Sequence, residues 1–212
     1  MLALYGARGS GAAAIEAALT IAGLPYRFVE AATWLPGSGL EELRRVNPLG
    51  QIPTLVLEDG SVLSESAAIL IHLGLTVPAS GLLPASASKR AQAIRGLVYI
   101  AANCYAAIGV FDYPERWCAE PDEATAARIR AGTRARLHYL WTVFADTFTG
   151  HPFLSGERLG ALDLLAAVMS RWSGARAHLA KERPALHELL VLIDNEPRLA
   201  ALFTRHWPPK EK

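Results

Sequence analysis

The apolar positions of this chain change period partway along it, and that change divides the sequence. Residues 2–5 form a continuous apolar run closed by Gly6, the pattern of a short buried strand. After the loop Gly6-Ala7-Arg8-Gly9-Ser10-Gly11 comes AAAIEAALTIAG, an alanine-rich helix with Glu16 as its only charge. Gly23 and then Pro25 follow it in the order expected at a helix C-terminus. Residues 26–29 read as a second strand, so the first thirty residues predict a βαβ unit whose parallel strands need the helical crossover. Residues 31–39, with Pro36 and two glycines, are irregular, and residues 40–46 form a short helix closed by Pro48. Residues 54–57 and 61–63 flank Glu58-Asp59-Gly60, a hairpin signal because the turn needs residues that tolerate positive φ. Residues 65–75 return to helical spacing through Ala68, Ile69, Ile71, His72 and Leu75.

Beyond that point every periodic segment is helical. Residues 76–84 hold Pro, Gly and Ser without periodicity, which places a linker over 76–86 between a first domain, 1–75, and a second, 87–212. The second domain predicts long helices over 87 to about 111 and 122 to about 148. A third covers 161–175, and two shorter ones cover 185–195 and 197–205. The arginines at 128, 130, 134 and 136 mark the exposed side of the second helix, and Pro197 stands in the first turn of the last.

Composition narrows the class. The chain has 212 residues, 51% hydrophobic and 19% charged, which excludes disorder over most of its length. Its 21 basic and 20 acidic residues favour neither nucleic acid nor an anionic membrane as partner. Two cysteines, Cys104 and Cys118, make neither a disulfide framework nor a zinc site, and the six histidines show no ligand spacing, so no metal is expected. The small-residue N-terminus has no basic leader, and no apolar run approaches the roughly 18 residues of a membrane span. The expectation is a cytoplasmic protein.

NPLGQIPTLVLEDGSVLSESAAIL over its whole length, and GERLGALDLLAAVMSRW in the second domain, resemble the corresponding stretches of cytosolic glutathione transferases, in particular the serine- or cysteine-type, bacterial-like members. The resemblance covers essentially the full chain. It implies an α/β thioredoxin-like N-terminal domain followed by an all-α helical C-terminal domain, with glutathione as co-substrate and a homodimer as the assembly. One departure is Gly160, where the family places Ser or Thr three residues before the aspartate. Gly is an acceptable N-cap, so a loss of only a few tenths of a kcal/mol is expected.

The resemblance also implies a cis Ile52-Pro53 bond that turns the Ile52 amide and carbonyl outward, where an extended peptide docks by strand addition. Ser64-Glu65-Ser66 opens a helix and is compatible with plain capping. In the resembling arrangement its amides and the Ser66 hydroxyl hold the γ-glutamyl carboxylate, and Glu65 pairs with the amino group. A free thiol titrates near pKa 8.5, so a donor aimed at the sulfur raises the reactive thiolate fraction. Two hydroxyls compete for that role: Ser10, placed as in serine- or cysteine-type members, and Tyr5, at the strand end. Backbone amides of Ser10 and Gly11 are a third source. Trp34, Gln51, Arg44 or Arg45 are candidates for the glycine carboxylate. Tyr99, Asn103, Tyr105, Phe111, Tyr113 and Trp117 are candidates for a wall holding a small hydrophobic electrophile, and the two cysteines are expected to behave as small buried apolar residues.

The expected activity is conjugation of the glutathione thiolate to an apolar electrophile. The alternatives are a non-catalytic binding or scaffold protein of the same fold, or a glutathione-dependent disulfide reductase or peroxidase.

Overall fold

The computed structural model describes residues 1–35, 37–120 and 122–209; Pro36, read above as part of an irregular segment, lies outside them. Strands β1 (Leu2–Gly6), β2 (Tyr26–Glu30), β3 (Thr54–Val56) and β4 (Val62–Ser64) form one sheet in the order β2-β1-β3-β4. Helix α1 (Ala12–Ala22) makes the crossover between the parallel pair β1 and β2. The pair β1/β3 and the hairpin β3/β4 are antiparallel. This is the thioredoxin-like arrangement expected, and the rest of the chain is mostly helical.

Strand alternation assigns the two faces of the sheet. Leu2, Leu4 and Leu55 join the main core with α1 and α3 (Ser66–Thr76). Tyr5 points the other way and packs with Ala31 and with Leu43 of α2 (Leu40–Val46). The register pairs Tyr5 with Thr54 and Thr54 with Ser64. The C-terminus of β1, the N-terminus of β3 and the C-terminus of β4 therefore meet at one end of the sheet. The loop before α1, the Ile52-Pro53 bond and the start of α3 all leave from that end.

The helical part begins with α4 (Ala87–Tyr99), a π-helical segment (Ile100–Tyr105) and α5 (Ala106–Asp112) in one continuous run. These 26 residues, with mean hydropathy 1.5 over an 18-residue window, are long and apolar enough to cross a membrane by length and composition, contrary to the expectation above. Here the run packs along α6 (Glu123–Thr147) and α7 (Ala161–Met169), with about a third of that window buried. Every residue of α7 is buried, and α1 and α3 pack on it, so the sheet and the bundle share one core.

Beyond one-residue shifts at several element ends, three boundaries differ from the sequence reading. The helix expected over 161–175 stops at Met169 because Ser173 and Gly174 adopt positive φ, 55° and 78°, and a separate α8 (Ala175–Glu182) starts there. Asp194, at the end of α9 (Pro184–Asp194), ties the turn together by pairing with both Arg171 and Arg176. The last helix, α10 (Ala200–His206), begins three residues after Pro197.

Gly160 is required at its position, where the sequence reading allowed for a small loss. A Cβ there would lie 2.6 Å from Ser155 Oγ and 2.7 Å from the Leu82 carbonyl. The fully buried Asp163 carboxylate accepts from the amides of Gly160, Leu154 and Ser155 at 3.0, 2.7 and 3.1 Å. A serine cap would collide where glycine lets the chains close.

Candidate functional site

At the shared sheet end, the Ile52-Pro53 peptide is cis, as the sequence resemblance implied. The Ile52 side chain packs against the Tyr5 and Leu43 cluster. Its backbone N–H and C=O make no hydrogen bond with the described residues. The loop that presents them is braced from behind. Buried Asn47 donates through Nδ2 to the Gln51 carbonyl (3.2 Å) and to Thr54 Oγ1 (2.9 Å), and Thr54 Oγ1 donates to the same carbonyl (2.8 Å). Sequence reasoning missed Asn47 and Thr54, whose signal is only an Asn before a Pro and a Thr after one.

The start of α3 is not an ordinary capped helix. Glu65 occupies the N-cap position with φ 66° and ψ 112°, a conformation rare for a residue with a side chain, and no side chain caps the first turn. Ser66 Oγ is buried and has no hydrogen-bond partner among the described residues. Leaving a buried hydroxyl unpaired costs about 1–3 kcal/mol, so its placement calls for an explanation other than capping. Glu65 is exposed and forms no ion pair among the described residues. The first-turn amides, the Ser66 hydroxyl and the Glu65 carboxylate thus form an unengaged set beside Ile52.

In the loop before α1, Ser10 is buried and locally engaged. Its hydroxyl donates to the Ala7 carbonyl at 2.7 Å and accepts from the amides of Ala12 and Ala7 at 3.2 and 3.3 Å. The Gly11 N–H makes no hydrogen bond with the described residues. A Cβ on Gly11 would lie 3.1 Å from Tyr105 Oη, 3.2 Å from Met169 Cε and 3.6 Å from Ser66 Oγ, so the missing side chain lets both hydroxyls and the Met169 methyl approach the same small space. Tyr105 Oη makes no hydrogen bond with the described residues, and burial, followed by the charges of Glu65 and Asp112, pushes its pKa up to about 12. At neutral pH it is a protonated donor.

Tyr5 is not part of this group. Its hydroxyl donates to Glu42 Oε1 at 2.7 Å on the α2 face, and burial, then the bond to Glu42, raises its pKa. Trp34 is 54% exposed, and Gln51 and Arg44 and Arg45 are also exposed, near the loop but without a fixed partner of their own. The six-member wall comes apart. Tyr99 donates to the Leu140 carbonyl at 2.9 Å and packs on Phe144 and Phe148. Asn103 bonds back to the Tyr99 carbonyl. Phe111 and Tyr113 carry arginines over their rings, and Trp117 is exposed. Only Tyr105 reaches Gly11 and Ser66. Cys104 is fully buried, which pushes its thiol up to about 12, while Cys118 is partly exposed. Among the described residues no three His, Cys, Asp or Glu side chains are grouped to hold a metal ion.

Two clefts of about 480 and 470 Å³ are lined by residues such as Ile21, Phe153 and Arg158, or Phe148, His151 and Leu189. Neither touches Ile52, Ser66 or the loop before α1. The site at the sheet end is marked by its unpaired polar groups.

Residues 12–75 match the family model described as "Glutathione S-transferase, N-terminal domain". Over 207 residues the chain is 32% identical to the uncharacterized GST-like protein YncG of Escherichia coli, covering 97% of this chain and 98% of that protein. It is 30% identical over 131 residues to the glutathione S-transferase GstA of Escherichia coli, 61% of each. The fold is similar to a crystal structure of a glutathione transferase homolog from Sulfitobacter with bound glutathione, with a TM-score of 0.81 and 23% identity over 95% of this chain and 96% of that one.

Proposed function

The chain belongs to the glutathione transferase family, and from that premise we propose that it binds glutathione at the sheet end and directs its thiolate at an apolar electrophile. The observation that carries this reading is the buried, unpartnered Ser66 hydroxyl beside the unpaired backbone of Ile52. An extended tripeptide supplies what these groups lack. Its cysteinyl backbone pairs with the Ile52 N–H and C=O, its γ-glutamyl carboxylate accepts from Ser66 and the first-turn amides of α3, and its amino group meets Glu65. The glycine carboxylate extends toward Trp34, Gln51 and the arginines of α2.

The thiol then lies over Ser10 and Gly11. Ser10 serves as its donor by turning its hydroxyl from the Ala7 carbonyl to the sulfur, while the Gly11 N–H is already free to donate. A second hydroxyl reading rests on Tyr105, whose Oη is unengaged and faces the same space. No cysteine stands in the loop before α1 or at the start of α3, and Cys104 is deep in the bundle and held protonated. That favours conjugation over a reductase that uses a cysteine of its own.

The same reading divides the chain into a glutathione-binding unit, 1–75, a linker, 76–86, and a helical unit, 87–212, that holds the electrophile. It also makes the protein a cytoplasmic homodimer. Calorimetric titration with glutathione, followed by a rate screen on haloarenes, epoxides and mixed disulfides, tests it. Binding together with haloarene or epoxide conjugation supports the transferase. Absence of binding supports a scaffold, and activity confined to mixed disulfides supports a reductase.

A further inference from the structure

The carboxylate of Glu16, on α1, is buried with three donors aimed at it. Tyr26 Oη and Arg205 Nη2 both reach Oε1 at 2.7 Å, and His206 Nε2 reaches Oε2 at 2.5 Å. Burial raises the Glu16 pKa, but the hydrogen bonds from His206 and Tyr26 and the Arg205 charge outweigh it, and the net shift is downward. The carboxylate is therefore ionised and fully paired.

The other nitrogen of His206 is engaged outside this cluster. The Gly9 N–H donates to His206 Nδ1 at 3.1 Å. A nitrogen that accepts cannot carry a proton, so this bond assigns the neutral ring with its hydrogen on Nε2, pointing at Glu16. One imidazole thus connects the C-terminal helix, the buried carboxylate of α1 and the backbone residue immediately before Ser10. Gly9 has φ +69°, and the His206 carbonyl and Trp207 Nε1 stand 3.5 and 3.7 Å from where its Cβ would be. Helix α10 therefore lies directly against the loop. Arg171 lies over the Trp207 and Phe203 rings, 4.1 and 5.6 Å from their centroids, and so packs on the same helix.

We propose that His206 is a positioning residue for the thiol-binding loop: its Nδ1 holds the Gly9 amide, and through it sets where Ser10 and the Gly11 N–H stand relative to the sulfur. This rests on the proposed glutathione site. The loop's other hydrogen bonds among the described residues are local: Ser10 N–H and the Ser10 hydroxyl to the Ala7 carbonyl, the Ala7 and Ala12 amides to the Ser10 hydroxyl, and the first amides of α1 to the Ser10 and Gly11 carbonyls. A displacement of about 1 Å at a reacting centre lowers rate by about a hundredfold, so a single distant anchor is enough to matter.

Two substitutions in the full chain separate positioning from packing. His206→Gln places an amide nitrogen near the position of Nε2, keeping the donor to Glu16 and losing the acceptor for Gly9. His206→Asn places an amide oxygen near Nδ1, keeping the acceptor for Gly9 and losing the donor to Glu16. The readout is the thiol pKa of bound glutathione, followed by ultraviolet thiolate absorbance, together with kcat, KM and Tm. In His206→Gln the bound thiol is expected to shift back toward its free value of about 8.5 and kcat to fall about tenfold, with glutathione affinity nearly unchanged. His206→Asn is expected to keep the wild-type thiol pKa even though it lowers Tm. A His206→Gln protein with the wild-type thiol pKa, or a His206→Asn protein that loses it, overturns the inference, and either variant alone is sufficient if the other fails to fold. Wild-type protein that binds glutathione without lowering its thiol pKa overturns the proposed activation and this inference together. Wild-type protein that does not bind glutathione overturns the site itself.

Discussion

Tyr105 reaches from the helical half of the chain to bring its hydroxyl 3.1 Å from the point a Cβ would occupy on Gly11. It does so from the end of a π-helical segment, where one extra residue per turn re-aims the side chains that follow. The Tyr105 hydroxyl and Ser10 are rival donors to the same sulfur. Tyr105→Phe is expected to lower kcat about tenfold if its hydroxyl stabilises the thiolate, with no loss of Tm because that hydroxyl has no partner among the described residues.

Ser10→Ala separates the rival. Its hydroxyl already closes the loop on Ala7, so its removal is expected to cost about 1 kcal/mol of stability as well as about tenfold in turnover, with glutathione affinity little changed. Steady-state kinetics and thermal melts on the two variants decide between them. Wild-type turnover in Ser10→Ala alongside a loss in Tyr105→Phe transfers the role to Tyr105.

Ser66 links stability and binding with opposite signs. Ser66→Ala removes a buried hydroxyl that has no partner among the described residues, so Tm is expected to hold or rise. The same change takes a donor from the γ-glutamyl carboxylate, and glutathione binding is expected to weaken about tenfold or more by calorimetry.

Glu65 follows the same logic through its backbone. Its φ of 66° is strained for any residue but glycine, so Glu65→Gly is expected to stabilise the fold by about 0.5–1 kcal/mol in denaturant melts. Affinity is expected to fall because the carboxylate facing the amino group is gone.

The acid limb of stability is assigned to Glu16. Its folded-state pKa lies below the ordinary 4.5, so its contribution is complete above that pH and is lost as pH falls through the lower folded value. Thermal melts of wild-type protein are expected to decline below about pH 4.5, and Glu16→Gln to lower Tm at neutral pH and flatten that decline.

The residues near one another in sequence were the legible ones. The strand, turn and helix periods of the first 76 residues gave the sheet end at which Ile52, Glu65 and Ser66 meet, because each element there is specified by its own local pattern. Ser10 was legible as a hydroxyl in the right loop, but its bond to the Ala7 carbonyl depends on the closed shape of that loop. Tyr105 could not be separated from Tyr99, six residues earlier on the same apolar run, because regular helical spacing does not reveal a π turn. Gly160 looked like a weakened cap until Ser155 and Leu82 were seen to occupy the space of its missing side chain. His206 and Glu16 stand 190 residues apart, and no local pattern announces a contact at that separation.

The most direct test of the glutathione site is a crystal structure of the protein soaked with glutathione. The account predicts the cysteinyl backbone paired with the Ile52 N–H and C=O, the γ-glutamyl carboxylate on Ser66, and the sulfur over Gly11 within reach of Ser10 or Tyr105. Glutathione bound elsewhere, or bound at this end with Ile52 and Ser66 still unpaired, would contradict it.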